Sequence, residues 1–312
     1  MATQTLVEAK KLINNEIVEG IVEDIITINP IFNLLPFTSF TGQAIVVNRE
    51  NALGDSQKLA VGGTITAKAA DTRTQYTFTP TTIIGDAEVN KLVLATSQSD
   101  GVDEMAIAIR SKAKSISRSF QQGMATDDGS GANMNSLDSL VDASQYTAAS
   151  AGQALSFALL DQLLQLVTAK NGAVDFLMMP ARTVNSYRAL VRALGGTTED
   201  TLVTLGDGTE MRLPVYNGVP IFRNDYMSIV ETANGAAVTG GALSSVYAGC
   251  FDDGSRKVGI AGIYPAGTSA GIMVEPIGAK ELKDEDITRI KWYTNFVIFN
   301  RRGVARLPSI NN

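Results

Sequence analysis

The sequence predicts an α+β protein in which one α+β domain is inserted into another that the chain leaves and later completes. Three observations carry this expectation. Residues 99–124 read as one long amphipathic rod, because Val102, Ala106, Ile109, Ala113, Ile116, Phe120 and Met124 recur at steps of three and four. From residue 136 to about 268, short helices and strands alternate between Gly and Pro stops. The stretch "IKWYTNFVIFNRRGVARL", Ile290 to Leu307, is rich in β-formers but has no strand partner beside it. An isolated hairpin is unstable in water, so its partners are expected about two hundred residues earlier, among the strands around 74–95.

The elements follow in order. Residues 3–27 read as an amphipathic helix through Leu6, Ala9, Ile13, Ile17, Ile21 and Ile25. Pro30 and Pro36 end it and open an extended apolar hook, "NPIFNLLPFTSF". Helix and hook either pack on their own domain or form an arm laid on a neighbouring subunit. "QAIVVN" (43–48) and "TQYTFTPTTII" (74–84) read as strands. The Gly- and Ala-rich connection between them has no aromatic residue and cannot build a core, so if ordered it needs cover from outside. On the rod, acids (Asp100, Asp103, Glu104) precede bases (Arg110, Lys112, Lys114, Arg118), the order that suits the helix dipole. The four bases make either a solvated face or a surface for polyanion or an acidic partner.

Beyond the Gly/Asn/Asp/Ser loop "GMATDDGSGANMNSLDSL", "SFALLDQLLQLVTAKNG" reads as a helix stopped at Asn171-Gly172 and "VDFLMMP" as a buried strand. "ARTVNSYRALVRALGG" is a second helix, and "MRLPVYNGVPIFRND" a hairpin turning at Asn217-Gly218. "SSVYAGCFDD", "VGIAGIYP" and "AGIMVEPIGA" are further strands.

The chain has 312 residues, 45% hydrophobic, and a net charge of −6. It has no histidine, which excludes Ser-His-Asp and Cys-His nucleophiles and His-ligated metals. Cys250 alone makes no intrachain disulfide and reads as a buried core residue. The first apolar run is broken by Glu8, Lys10, Lys11, Glu16 and Glu19, so neither a signal peptide nor a membrane span is expected. Phosphate loops and a dinucleotide fingerprint are missing, and "DDGSGAN" lacks calcium-loop spacing. Ser111 to Lys114 fits S-x-x-K without its companion motifs. No catalytic, cofactor or metal site is expected, which argues against an enzyme.

The order of parts, together with "NLLPF", "VDFLMMPARTVNSYRAL", "LPVYNGVPIFRNDYM" and "IKWYTNFVIFNRRGVARL", resembles the major capsid proteins of tailed bacteriophages, the Hong Kong 97-like fold. The resemblance covers nearly the whole chain. It implies an N-terminal arm at 1–41, an extended loop at 42–82, a peripheral domain at 83–135 with 269–312, and an axial domain at 136–268. It implies subunits that form hexamers and pentamers of an icosahedral shell around double-stranded DNA, made in the host cytoplasm and located in the virion. Expected partners are other copies of the chain, a portal, in some members a decoration protein, and DNA by non-specific contact. Because the sequence starts almost at once with the arm, scaffolding is expected from a separate protein or from a segment outside this sequence. Arg110, Lys112, Lys114 and Arg118 are expected to face DNA. Ile31, Phe32, Leu34, Leu35, Phe37, Lys58, Lys68, Arg301, Arg302 and Arg306 are expected at subunit contacts. Some members crosslink a loop lysine to a peripheral asparagine; no such link is expected here. An encapsulin-like compartment is the alternative within the fold, and a soluble α+β enzyme the alternative outside it.

Overall fold

Two β-sheets and one β-ribbon organise the computed structural model, which describes residues 29–99, 103–147, 152–196, 200–204, 210–229, 243–268 and 270–311. The expected helix at 3–27 lies outside the described residues. A 3-10 turn, Pro30–Leu34, leads into β1 (Phe37–Phe40). Among the described residues, β2 (Ile45–Ala52) and β3 (Thr72–Phe78) pair only with each other. The strand expected over 74–84 breaks at Thr79-Pro80, where proline offers no ladder donor, and β4 (Thr81–Asn90) starts afresh. The single rod expected over 99–124 is also corrected. There is a short helix, Lys91–Ser99, and then the rod helix, Glu104–Thr126. Asp103 sets the rod's start: its extended backbone cannot continue a helix, and its carboxylate accepts the Ala106 N–H at 3.1 Å.

β5 (Gln153–Ala154), a helix at Phe157–Leu166, β6 (Phe176–Met179) and a helix at Ala181–Ala193 come next. β7 (Asp200–Thr204), β8 (Glu210–Tyr216), β9 (Val219–Arg223) and β10 (Leu243–Gly249) follow. Asn217 and Gly218 take φ of +49° and +79°, the two left-handed residues that a two-residue hairpin between β8 and β9 requires. The chain ends with β11 (Ile260–Pro265), β12 (Met273–Ala279), β13 (Glu285–Ile298), a 3-10 turn at Arg301–Gly303, and β14 (Val304–Asn311).

The five-stranded sheet runs β1-β11-β13-β12, with β4 also pairing β13. The long strand β13 has the distant partner that its sequence demanded: it lies antiparallel to β4 from Glu285↔Asn90 to Thr294↔Thr81. The seven-stranded sheet runs β5-β14-β10-β6-β9-β8-β7. Two strands pair across the expected units. β11, assigned to the 136–268 unit, pairs with β13 and with β1. β14, assigned to the returning element, crosses to β10 in the other sheet. The crossing occurs at Asn300-Arg301-Arg302-Gly303, where the Asn300 side chain accepts the Arg302 N–H and turns the strand.

β6 and β10 are buried along their whole length, which is why they read as unbroken apolar or small residues rather than alternating ones. On one face of their sheet, Leu177, Met179, Val246 and Leu307 pack under the helices Phe157–Leu166 and Ala181–Ala193. On the other face, Phe176, Met178, Phe222 and Tyr247 share a core with the rod's Ile116, Phe120 and Met124 and with Trp292 and Phe296. One hydrophobic core thus joins both sheets. Cys250 is fully buried as expected, and burial pushes its thiol up to about 11. Gly303 and Gly259 crowd against it, and a Cβ on Gly259 would overlap the Cys250 carbonyl.

Candidate subunit interface

The β2–β3 ribbon projects a surface that none of the described residues covers. Its root is anchored: Phe40, Ile45 and Phe78 are buried against Ala261, Ile263, Val297 and Phe299. Its tip, residues 53–71, has no core, and polar side chains hold its shape. The Gln57 carbonyl accepts the N–H groups of Thr66 (2.7 Å) and Ala67 (2.8 Å), while its amide donates to Thr64 O at 3.0 Å. Asp55 and Ala69 exchange a further main-chain bond of 3.1 Å. Around this polar frame the apolar side chains point outward. Leu53 is 76%, Val61 108% and Ile65 61% exposed. A pre-shaped tip with exposed aliphatic groups is a candidate interaction surface. Lys58 and Lys68 stand exposed on the same tip.

A second exposed apolar point is Leu282, 95% exposed at the turn between β12 and β13. Ion pairs fasten the strands behind it: Lys280 to Glu88 at 2.8 Å, Lys91 to Asp284 and Asp286 at 3.7 and 3.8 Å, and Arg289 to Asp86 at 2.9 Å. The Arg289 guanidinium, bonding through both Nε and Nη2, holds the Asp86 carboxyl below its usual value.

Where the ribbon leaves the body, Arg49 donates from Nε to Phe299 O at 3.0 Å and from Nη2 to Ile298 O, and its guanidinium lies 4.2 Å over the Tyr76 ring. Burial pulls its pKa down. Beside it opens a cleft of about 500 Å³ with five cations on its walls: Arg49, Arg256, Lys257, Arg301 and Arg302. Val47 and the buried Phe299 also line it.

The expected contact residues divide. Lys58, Lys68 and Arg302 are exposed, as a contact residue must be. Of the hook, Ile31 and Leu35 are buried, and Phe32, Leu34 and Phe37 are half-buried against the same core. Phe32 and Phe37 close on Phe120 and Trp292, whose rings lie 4.8 Å apart. The hook packs its apolar side chains on the core of its own domain. Arg306, expected at a subunit contact, is half-buried. It is held within the chain by Ser245 Oγ at 2.9 Å, by Asp138, and over the rings of Tyr146 and Tyr247. Arg301 is half-buried and lies 3.9 Å from Asp142.

The basic patch is also redrawn. At about 100° per residue, Arg110, Lys114 and Arg118 fall in one row along the rod, whereas Lys112 lies on the other flank. Lys112 rests against β4 beside Gly85 and acts on Asp86. Ser111 and Lys114 of the S-x-x-K match are both exposed on the rod. Asn295 and Asn300 are occupied within the chain. Asn295 accepts Asn135 N and donates to Thr79 O, and Asn300 caps the last 3-10 turn. Among the described residues no helix is long and apolar enough to cross a membrane, and no His/Cys/Asp/Glu cluster could hold a metal.

Sequence reasoning missed Arg49, Arg256 and Lys257 as members of one cleft, because they come from separate segments. It also missed Leu282. An isolated large aliphatic inside the charged turn "KELKDED" was the available signal.

No protein-family model and no curated protein matches this sequence. Its architecture is nevertheless shared. The encapsulin of the holo-SrpI complex from Synechococcus elongatus PCC 7942 superposes with a TM-score of 0.72 at 14% identity, covering 100% of this chain and 97% of that one. The cyanophage A-1(L) capsid gives 0.70 at 13% identity, covering 99% and 100%. The capsid of a native GTA particle gives 0.69 at 11% identity, again covering 99% and 100%. A helical rod, two sheets sharing one core, and a ribbon reaching away from them are matched end to end with proteins that build shells, and the chain has the Hong Kong 97-like capsid fold.

Proposed function

We propose that the chain is a shell-forming subunit: a major capsid protein that assembles with copies of itself into hexamers and pentamers of an icosahedral shell enclosing double-stranded DNA. The observation that carries this reading is the ribbon tip, pre-shaped by Gln57 yet exposing Leu53, Val61 and Ile65. At ~25 cal/mol per Å², covering such a tip on every copy makes assembly favourable without any single large interface. End-to-end likeness to capsids supports the same reading. The organisation into an arm, an extended loop, a peripheral unit around the rod and an axial unit around the seven-stranded sheet belongs to this proposal. So do a separately supplied scaffolding protein, a portal, decoration protein, synthesis in the host cytoplasm and residence in the virion.

An encapsulin-type compartment is the second reading, favoured by the likeness to the Synechococcus encapsulin. Negative-stain electron microscopy of the chain expressed alone tests the common element. Rings or hollow polyhedra are expected, and a stable monomer with an ordered 53–71 tip would overturn it. The contents of particles recovered from the native host separate the two readings: nuclease-protected double-stranded DNA is expected, and a protein cargo without DNA would establish the compartment instead.

A further inference from the structure

The cleft at the ribbon root carries five cations, Arg49, Arg256, Lys257, Arg301 and Arg302, on a chain whose net charge is −6. They come from three separate segments, and each segment is braced where it presents them. Arg49 is held by its bonds to Phe299 O and Ile298 O. The Asn300 side chain caps the turn that carries Arg301 and Arg302. Between β10 and β11, the buried Asp252 carboxylate accepts the N–H groups of Gly254 at 3.1 Å and of Arg256 at 3.2 Å. Arg256 takes φ of +60°, a left-handed backbone that is unfavourable for a residue with a long side chain. Strained backbone and a buried carboxylate thus set this arginine on the cleft wall.

Little within the chain answers the charge. Glu50 is the one acid among the residues that line the cleft, and it stands opposite Arg73, on the other face of β2 from Arg49. Arg301 lies 3.9 Å from Asp142, and Arg256 donates one N–H group to Ser39 O at 2.6 Å. Among the described residues, the side chains of Lys257 and Arg302 make no hydrogen bond or ion pair, and both are exposed. Like charges crowded in this way repel one another, and an anionic occupant relieves them. A volume of about 500 Å³ suits a small molecule. Four of the five cations are arginines, whose planar forks take phosphate oxygens in pairs. A phosphate chain also packs several negative charges into a space in which a peptide would place few. We propose that this cleft is a binding site for a polyphosphate chain, either inorganic or carried by a nucleotide. Its occupation ties the ribbon root, the 252–258 loop and the 301–303 turn together.

Calorimetric titration of the full chain with sodium tripolyphosphate tests the site. Saturable binding that weakens with added salt is expected. Lys257→Glu with Arg302→Glu is expected to weaken it by about tenfold or more. Arg110→Glu with Lys114→Glu changes the net charge equally, on the rod, and is expected to leave the affinity unchanged. Unchanged circular-dichroism melting shows that both variants fold. Arg302→Lys keeps the charge but loses the fork, and should still weaken binding by about threefold. Added tripolyphosphate should slow hydrogen exchange at the ribbon root and in the 252–258 loop. Adenosine triphosphate identifies the source: equal affinity assigns a bare phosphate chain, and tighter binding assigns a nucleotide whose base lies on the apolar wall of Val47 and Phe299. Absence of saturable binding overturns the proposal, as does equal weakening by both charge-reversed pairs, which would mean general attraction by net charge. Tighter binding of a single-stranded oligonucleotide than of either probe overturns it in favour of a nucleic-acid groove. The site goes beyond the shell reading and is read separately from it, because binding is measured whether or not the chain assembles.

Discussion

Arg49 of β2 and Phe299 at the end of β13, 250 positions apart in sequence, are joined by a 3.0 Å hydrogen bond from the arginine Nε to the phenylalanine carbonyl. The same guanidinium reaches Ile298 O and stacks on Tyr76 of β3, so one side chain ties both strands of the ribbon to the closing strand of the sheet. The apolar root made by Ile45, Phe78 and Phe299 holds the ribbon on the body, and Arg49 adds two hydrogen bonds at the same junction.

Replacing Arg49 with Met keeps the aliphatic stem but leaves two carbonyls without this donor. The expected cost is about 1–3 kcal/mol, confined to the ribbon. Hydrogen exchange should accelerate in β2 and β3 while β10 and β14 keep their protection. Uniform loss of protection, or none, would show that Arg49 does not anchor the ribbon.

The rod, the hook and the closing strand meet at Phe120, which is fully buried and sits 4.8 Å from the Trp292 ring. Phe120→Ala removes the ring that Phe32 and Phe37 also contact. It should cost about 3–5 kcal/mol and alter the emission of the chain's single tryptophan. Chemical denaturation followed by tryptophan fluorescence measures both.

Asp86 gives the outer face of β4 and β13 a defined acid sensitivity. Its folded pKa is lowered by the bonds from Arg289, so its stabilising contribution is complete above the unfolded carboxyl value of about 3.9 and is lost as pH falls through the lower folded value. Thermal melts should be flat in this respect from neutral pH to about 5 and should fall below about 4. Asp86→Asn should remove that part of the acid dependence and lower stability at neutral pH. An identical acid profile in the variant would exclude the pair as its source.

Under the proposed capsid function, the row Arg110, Lys114 and Arg118 is the surface expected to face DNA. Arg110→Glu with Lys114→Glu should reduce the nuclease-protected DNA held by particles and leave empty-shell assembly intact. Loss of empty shells as well would make the row a subunit contact. Lys112→Glu is the control: it lies on the rod's other flank and should leave DNA retention largely unchanged.

Much of the local structure was legible because local chemistry enforces it. The Asn217-Gly218 turn, the buried "FLMM" strand and the amphipathic rod are set by backbone freedom and burial period, which adjacent residues carry on their own. The need of Ile290 to Phe299 for a distant partner was legible too, since a strand that long cannot stay unpaired. Absence was informative as well: with no histidine and one buried cysteine, the sequence turned attention from catalysis to surfaces.

Tertiary structure decided what depends on which segments meet. Ile31, Phe32 and Phe37 look alike whether they seal their own core or a neighbour's, and only the position of Phe120 and Trp292 assigns them to their own. Arg301, Arg302 and Arg306 are near neighbours in sequence, yet the turn at Asn300 sends Arg306 inward to Asp138 and Tyr146 and leaves Arg302 in the basic cleft. The sequence by itself determined the periodic elements and the demand for long-range pairing, because both follow from burial and backbone chemistry along the chain. The division of β11 and β14 between two sheets, and the convergence of five cations at the ribbon root, came only from the folded arrangement, because charge and burial act through space between residues that sequence order keeps apart.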